Sequence, residues 1–335
     1  MAVTIRDVAK LAGVSPMTVS RVINGSPKVS PDTRERVETA IAELHYVPNT
    51  LARGLTQSRS GTIGMVVPDL GDPFFTLVLR GAEQVARAAG YRVIVCNTIS
   101  DRELEASYVE NLVANQVDGV ILAPVDNDSK RIIDWMAKRQ MPHVLIDRSI
   151  PGIDADIVQG DSLVGARMLV DHLVANGHRR IGHITESQRV STARDRFQGY
   201  REALEANGIP FDPELVVEGS GATIEGARGA MAELLGRGEA FSAILAVNNL
   251  AAVGVVLALR AAGLAVPGDI AVACFDDIEL AAYLCPFLTV MAQPATDYGS
   301  LATQLLIDRI QGVAPDERQV MILPGELIVR ESTVR

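Results

Sequence analysis

From Ile63 to the C-terminal region the chain alternates between short, nearly continuous apolar runs and longer amphipathic stretches. The runs are Ile63–Val67, Arg92–Cys96, Gly119–Leu122, His143–Ile146, Arg180–Ile184, Leu215–Val217, Ala243–Val247 and Ile270–Phe275. Between them, Phe74–Ala89, Asp101–Asn115, Leu163–Asn176, Arg194–Asn207 and Asn249–Ala262 read as amphipathic helices. Strands that are apolar on both faces need cover on both faces, and helical crossovers supply it. The pattern therefore predicts an α/β body with parallel sheets. Eight such strands in roughly 270 residues exceed one comfortable sheet, so two similar subdomains are expected. Val320–Leu323 and Leu327–Val329, split by Pro324-Gly325, read as a closing pair of short strands.

Open parallel sheets bind ligands beyond the C-terminal ends of their strands. Here those ends are polar: Pro68-Asp69, Asn97-Thr98, Asp126, Asp147-Arg148, Thr185-Glu186, Asn248-Asn249 and Asp276-Asp277. Carboxylates, amides and an arginine around one cleft suit a hydroxyl-rich solute, because each hydroxyl needs both donors and acceptors. Phe74-Phe75 offers an apolar wall. Any one of these residues serves equally well as a helix or turn cap; the inference rests on the whole set.

The first 60 residues differ in character. The whole chain of 335 residues has a net charge of −10, which by itself argues against a nucleic-acid partner. Residues 1–60, however, hold eight Lys/Arg against five acids, +3, and leave −13 for the remainder. Thr4 and Asp7 form a capping box, and Val8, Ala9, Leu11 and Ala12 give a first helix its apolar stripe. Gly13 takes the positive φ that ends it, and Ser15-Pro16 starts a second helix as N-cap and first residue. Two short helices around a Gly-containing turn are the helix-turn-helix pattern. On the second helix Val19, Val22 and Ile23 share one side, and Met17, Ser20, Arg21 and Asn24 the other. The polar side suits a major groove, where Arg21 can donate bidentately to guanine and Met17 can touch a thymine methyl. A solvated helical hairpin fits the periodicity equally well. Ser30-Pro31 opens a third helix carrying Val37, Ile41 and Leu44. Asn49 caps a seven-residue segment ending at Leu55 that is too short to hold a helix alone, and Gln57–Gly61 reads as a polar linker.

The stretch TIRDVAKLAGVSPMTVSRVINGSPKVSPDTRERV, followed by AIAELHYVPNTLARGL, resembles without a gap the DNA-binding head of the lactose-repressor/galactose-repressor (LacI/GalR) family. That resemblance settles the choice between hairpin and DNA reader. It implies that Pro16, Met17 and Arg21 face operator bases, with Ser15, Thr18, Ser20 and Asn24 beside them, and that Leu55 wedges into the minor groove. The remaining chain resembles, more loosely, the type I periplasmic-binding-protein fold that follows the head in that family. The organisation implied is a head at 1–48, a hinge and linker at 49–61, and an effector-binding and dimerisation body at 62–335 of two interleaved subdomains, with crossovers near 160, 291 and 322. Arg196 in TARDRFQGY, Asp276 in CFDD and Gln293 match effector-pocket positions, and Asp72, Phe74, Asp147, Arg148 and Asn248 complete the expected pocket. Three departures stand out: Asn249 where Asp is usual, Gly221 where some members carry an aromatic ring, and Asp72 where Asn is common.

The implied function is a transcriptional repressor, a homodimer on a near-palindromic operator, controlled by a small carbohydrate-like effector. The rival reading, an α/β enzyme on a small polar substrate, finds no GxSxG, HExxH or GxxxxGK[ST], and Gly219-x-Gly221 is followed by Ile224 where a dinucleotide fingerprint needs a third Gly. Cys96, Cys274 and Cys285 form no CxxC pair or disulfide framework, and Cys96 and Cys274 read as small buried thiols. No cofactor and no metal are expected. The N-terminus is not a secretory signal, and no apolar run approaches the ~18 residues of a membrane span, so a cytoplasmic protein is expected. The C-terminal LIVRESTVR has no heptad repeat, so no coiled-coil tetramer is expected.

Overall fold

The computed structural model describes residues 3–23, 26–46, 59–219 and 222–334. Asn24, Gly221 and the segment 49–55 with Leu55 lie outside the described residues. The chain divides into two compact units, Met1–Ser60 and Gly61–Arg335.

The first unit contains α1 (Ile5–Ala12), α2 (Pro16–Ile23) and α3 (Pro31–Glu43). The Asp7 carboxylate accepts from the Thr4 backbone N–H at 2.9 Å and from its hydroxyl at 2.7 Å, which fixes the start of α1. Gly13 ends it at φ 64°. The Ser15 hydroxyl accepts the Thr18 N–H at 3.2 Å at the start of α2, and the Ser30 hydroxyl accepts the Thr33 N–H at 3.4 Å at the start of α3. Val8, Ala9, Ala12, Val19, Val22, Val37 and Ala40 are buried together. Leu11 does not belong to that core; three residues after Val8, it falls on the flank of the stripe and is 47% exposed. Two cations of the basic head are spent on the fold. Arg36 on α3 donates to the Ala12 and Gly13 carbonyls at 2.5 and 3.4 Å, and Arg34 to the Ser26 carbonyl at 2.8 Å.

The second unit is built of two lobes on one plan. Lobe 1 has a six-stranded sheet in the order β11-β5-β4-β3-β1-β2: Val320–Leu323, Asp156–Gly160, His143–Ile146, Gly119–Leu122, Thr62–Val67 and Arg92–Asn97. Lobe 2 repeats the layout as β12-β10-β9-β8-β6-β7: Glu326–Ile328, Thr289–Ala292, Ala271–Phe275, Ala243–Ala246, Ile181–Thr185 and Val216–Glu218. All pairings are parallel except that of β12 with β10. Helices α4 (Pro73–Ala88), α5 (Arg102–Ala114) and α6 (Lys130–Lys138) belong to lobe 1. Helix α7 (Ser162–Ala175) follows β5 but packs on α8 (Ser191–Ala206) and on the lobe 2 sheet. Helices α9 (Ile224–Gly236), α10 (Asn249–Ala261) and the short α11 (Glu279–Leu284) follow in lobe 2. Helix α12 (Ala295–Gln311) follows β10 but packs back on α4 in lobe 1. The chain thus passes between the lobes around 160–162, 292–295 and 323–326.

The last of these passages lies near the crossover expected at 322, but the two strands beside it differ from the expected closing pair. Val320–Leu323 and Glu326–Ile328 do not pair with each other. The first runs parallel to β5, Met321 opposite Val158; the second runs antiparallel to β10, Leu327 opposite Met291. Each sheet had an edge to fill, and Pro324-Gly325 carries the chain from one to the other. Two strands also escaped the sequence reading. Thr289–Ala292 is only four residues long, and Asp156–Gly160 opens on a carboxylate. Asp156 is fully buried because Arg309 donates to it at 2.7 and 2.9 Å and the Gln319 N–H at 2.8 Å. Cys274 is buried as expected, whereas Cys96 is half-buried and Cys285 exposed. Among the described residues no helix is long and apolar enough to cross a membrane.

Candidate functional site

In the first unit, α2 splits as its periodicity implies. Val19 and Val22 are buried, while Met17 is 64% exposed and Pro16 and Arg21 lie at the surface. Ser15 is exposed at the cap, where its hydroxyl lies 3.0 Å from that of Thr18, and Thr18 and Ser20 are half-buried. With Arg34 and Arg36 engaged by backbone carbonyls, Arg21 is an exposed guanidinium carried on the α2 face itself. A short exposed helix face with an arginine in its last turn has the shape and the donors to read a major groove.

In the second unit the strand ends of both lobes converge on a cavity of about 230 Å³. Lobe 1 contributes Asp72, Phe74, Asp147 and Arg148; lobe 2 contributes Arg196, Asn248 and Asp276. Gln293 is not part of the lining. It stands behind Asp276, donating to its Oδ1 at 2.7 Å, and in turn accepts from the Tyr298 hydroxyl at 3.0 Å. Residues not singled out from the sequence also line the cavity, among them Ser100, Thr192 and Thr223. Thr192 had a signal, since it lies in the same TAR segment as Arg196. Tyr298 had none: it comes from a helix that returns from the other lobe.

The two lobes present their carboxylates in the same way. Asp147 ends β4 at φ 64° with its N–H bonded to the Val158 carbonyl at 2.8 Å. Asp276 ends β9 at φ 63° with its N–H bonded to the Met291 carbonyl at 3.0 Å. This left-handed turn, which aspartate tolerates better than most residues, directs both side chains off the ends of their sheets. Asp72 caps α4, accepting the Phe74 N–H at 2.9 Å, and meets the Asn248 and Asn249 amides across the cleft at 3.4 and 3.5 Å. Gly160 marks one crossover. A Cβ there would lie 2.2 Å from the Tyr298 hydroxyl and 2.3 Å from Gln293 Oε1, so only glycine admits that pair.

Burial dominates the electrostatics. It pushes the Asp72 carboxyl up to about 7, helped by the charge of Asp276. It pushes Asp147 up to about 6 against the pull of Arg148 and Arg196. Burial likewise raises Asp276, opposed by Arg196 and by the hydrogen bond from Gln293. The two guanidiniums are fixed rather than free. Arg148 donates to the Pro124 and Val125 carbonyls, both at 3.1 Å. Arg196 donates to the Val247 carbonyl at 2.7 Å, stacks 3.9 Å over Phe275 and lies 3.8 Å from Asp276. Their buried Nε atoms have no hydrogen-bond partner among the described residues. The Arg148 Nε lies 3.6 Å from Asp147 Oδ2. The cavity lining thus combines carboxylates, amides and guanidiniums, the groups that pair with a polar solute. No cluster able to hold a metal ion occurs among the described residues.

Residues 4–49 match the family described as bacterial regulatory proteins, lacI family, and residues 170–333 match a periplasmic binding protein-like domain. The chain is 36% identical over 330 residues to the HTH-type transcriptional regulator GalR of Salmonella typhimurium, covering 98% of this chain and 95% of that protein. Among solved structures it is similar to the Lac repressor dimer bound to operator and the anti-inducer ONPF, with a TM-score of 0.87 and 32% identity over the whole of both chains. It is also similar to the transcriptional regulator CelR–cellobiose complex, with a TM-score of 0.75 and 34% identity over 98% of this chain and 99% of that one.

Proposed function

The chain belongs to the lacI family of bacterial regulatory proteins, a DNA-binding transcriptional regulator, and from that premise we propose that it is a repressor whose operator affinity is set by a small hydroxyl-rich effector bound between the lobes. The observation that carries this reading is the origin of the cavity walls: Asp72, Asp147 and Arg148 from one lobe face Arg196, Asn248 and Asp276 from the other. A ligand that bonds to both walls binds best to one particular separation of the lobes, and a ligand shifts a conformational equilibrium only through such a difference in affinity. The pattern of carboxylates, amides and guanidiniums with the Phe74 wall fits a sugar or sugar derivative, as the cellobiose complex of a similar regulator illustrates.

On this reading Pro16, Met17 and Arg21, with Ser15, Thr18, Ser20 and Asn24, face the operator bases, Leu55 enters the minor groove, and Asp72, Phe74, Asp147, Arg148, Arg196, Asn248, Asp276 and Gln293 form or support the effector site. The body acts as a homodimer, so that two heads read a near-palindromic site in the cytoplasm. Leu280, Tyr283 and Leu284 on α11 are 70%, 80% and 78% exposed, an apolar patch of the kind that a subunit partner covers. The role is binding rather than turnover. A thermal-shift screen of sugars, sugar acids, polyols and nucleobases tests the effector reading: at least one neutral polyhydroxyl compound stabilises the wild-type chain, and none of these does so in Arg196→Ala or Asp276→Ala. A full response retained in both variants would place the pocket elsewhere.

A further inference from the structure

The lobes also meet at a place the effector reading leaves unused. Arg189 lies on the loop between β6 and α8 of lobe 2, between Glu186 and Thr192, which line the cavity. Its Nε is 3.2 Å from Asp126 Oδ2, and its Nη2 pairs with Asp128. Both carboxylates belong to the connection between β3 and α6 in lobe 1. Arg102, at the start of α5 in the same lobe, holds the same two groups, with Nε 3.5 Å from Asp126 and Nη1 paired with Asp128. The backbone joins in, because the Asn127 N–H donates to the Arg189 carbonyl at 3.2 Å.

The lobe 1 side of this cluster is fixed from within. Glu105, 1% exposed, accepts the Val125 N–H at 2.7 Å. The Pro124 and Val125 carbonyls are the ones that hold Arg148 at the cavity. Residues 124–128 thus grip a cavity arginine with their carbonyls and an arginine of the other lobe with their carboxylates.

We propose that Arg189 is an inter-lobe positioning residue: with Asp126 and Asp128 it forms a charged clasp that holds the lobes together beside the cavity and so sets how readily a ligand gains entry. The proposal depends on the contact between the lobes and not on the identity of the effector. A lone exposed ion pair contributes little, largely because both side chains must be ordered to form it. Here Arg102 already orients both carboxylates, so ordering Arg189 alone completes two pairs. Surface charges are screened by salt, so the clasp loosens as ionic strength rises. Among the described residues, other polar contacts between the lobes are the Ser149 N–H donating to Ser191 Oγ at 3.0 Å, the amide contacts of Asp72, the Tyr298–Gln293–Asp276 chain, and the Arg80–Glu279 pair at 3.3 Å. Only the last is also a salt-sensitive exposed pair, so a variant at Arg189 is needed to assign a salt effect to the clasp.

The test is hydrogen exchange, followed by mass spectrometry, on the full ligand-free chain in low and high sodium chloride. Two segments report on lobe contact, those containing the Asn127 and Ser149 amides, both of which bond across the cleft. Ser149 bonds to Ser191 rather than to the clasp itself, so it reports contact between the lobes at a second point. In wild type, exchange in both segments rises with salt. Arg189→Gln raises it about fivefold at low salt, the size expected for a two-pair network, and removes most of the salt dependence. Arg189→Lys retains part of the protection, and Asp126→Asn with Asp128→Asn reproduces the loss from the lobe 1 side. Exchange in β1 and β9, inside the two lobes, stays unchanged. Unaltered exchange at Ser149 in Arg189→Gln, a salt response that survives the substitution, or faster exchange throughout both lobes would each overturn the proposal.

Discussion

Asp72 combines three burdens: it caps α4, it is buried, and it faces a second buried carboxylate in Asp276. Its ordinary value of 3.8 rises to about 7 in the folded chain. Between about pH 4 and pH 7 the native cavity therefore holds a proton that the unfolded chain has released. Stability falls as pH rises through that window, and Asp147, raised to about 6, adds to the same trend. Asp72→Asn keeps a capping side chain and removes the titration, so its melting temperature varies less between pH 5 and pH 8 than that of wild type; equal slopes in the two proteins would count against the assignment. On the DNA side, Arg21→Ala costs about 1–3 kcal/mol on the preferred base and relaxes preference at one base pair per half-site. Uniform weakening on every sequence would instead mean a phosphate contact. Asp147, Arg148, Asn248 and Asp276 were legible in the sequence because each lies within two residues of the end of an apolar run, where chain order alone fixes position. Tyr298 and Gly160 were not, since their juxtaposition arises only when α12 returns to the first lobe.

At the scale of elements, what could be read depended on local apolar pattern. The runs around Met65, Ile121 and Leu245 are buried over their whole length, and their strands fall within a residue or two of the expected bounds. Asp156–Gly160 was missed because its first residue is stabilised by Arg309, 153 positions away, which no local window contains. The two closing strands exist, but which sheet each one closes was not legible for a related reason: nothing local to the Pro-Gly step shows that two open sheet edges await its flanking strands. The crossover at Gly160 is the most vulnerable connection. Gly160→Ala displaces Tyr298 or Gln293, lowers the melting temperature and disturbs the Gln293–Asp276 hydrogen bond. Unchanged stability together with an unchanged ligand response would show that the contact is slack. In the head, Val37 is fully buried among the three helices, and Val37→Ala costs about 2 kcal/mol, measurable as loss of helix signal from the isolated unit on heating.

The whole molecule joins a small basic head to an acidic two-lobed body, and the proposed function needs both together with a second copy. Sedimentation of the full chain at micromolar concentration is expected to show a dimer, and Leu284→Asp, which puts a charge into the exposed patch on α11, to shift it toward monomer; a monomeric wild type would count against the dimer. On the proposed function, occupancy of the cavity and affinity for DNA are one coupled equilibrium. The direct measurement is the affinity of the chain for operator DNA, by fluorescence anisotropy, with and without a saturating compound identified by thermal shift, in wild type and in Asp276→Ala. The compound is expected to change wild-type operator affinity by roughly 5–150-fold, the usual range of an allosteric coupling, and to leave Asp276→Ala unmoved. A compound that binds the wild-type cavity without altering operator affinity, or a full response in Asp276→Ala, would contradict that coupling.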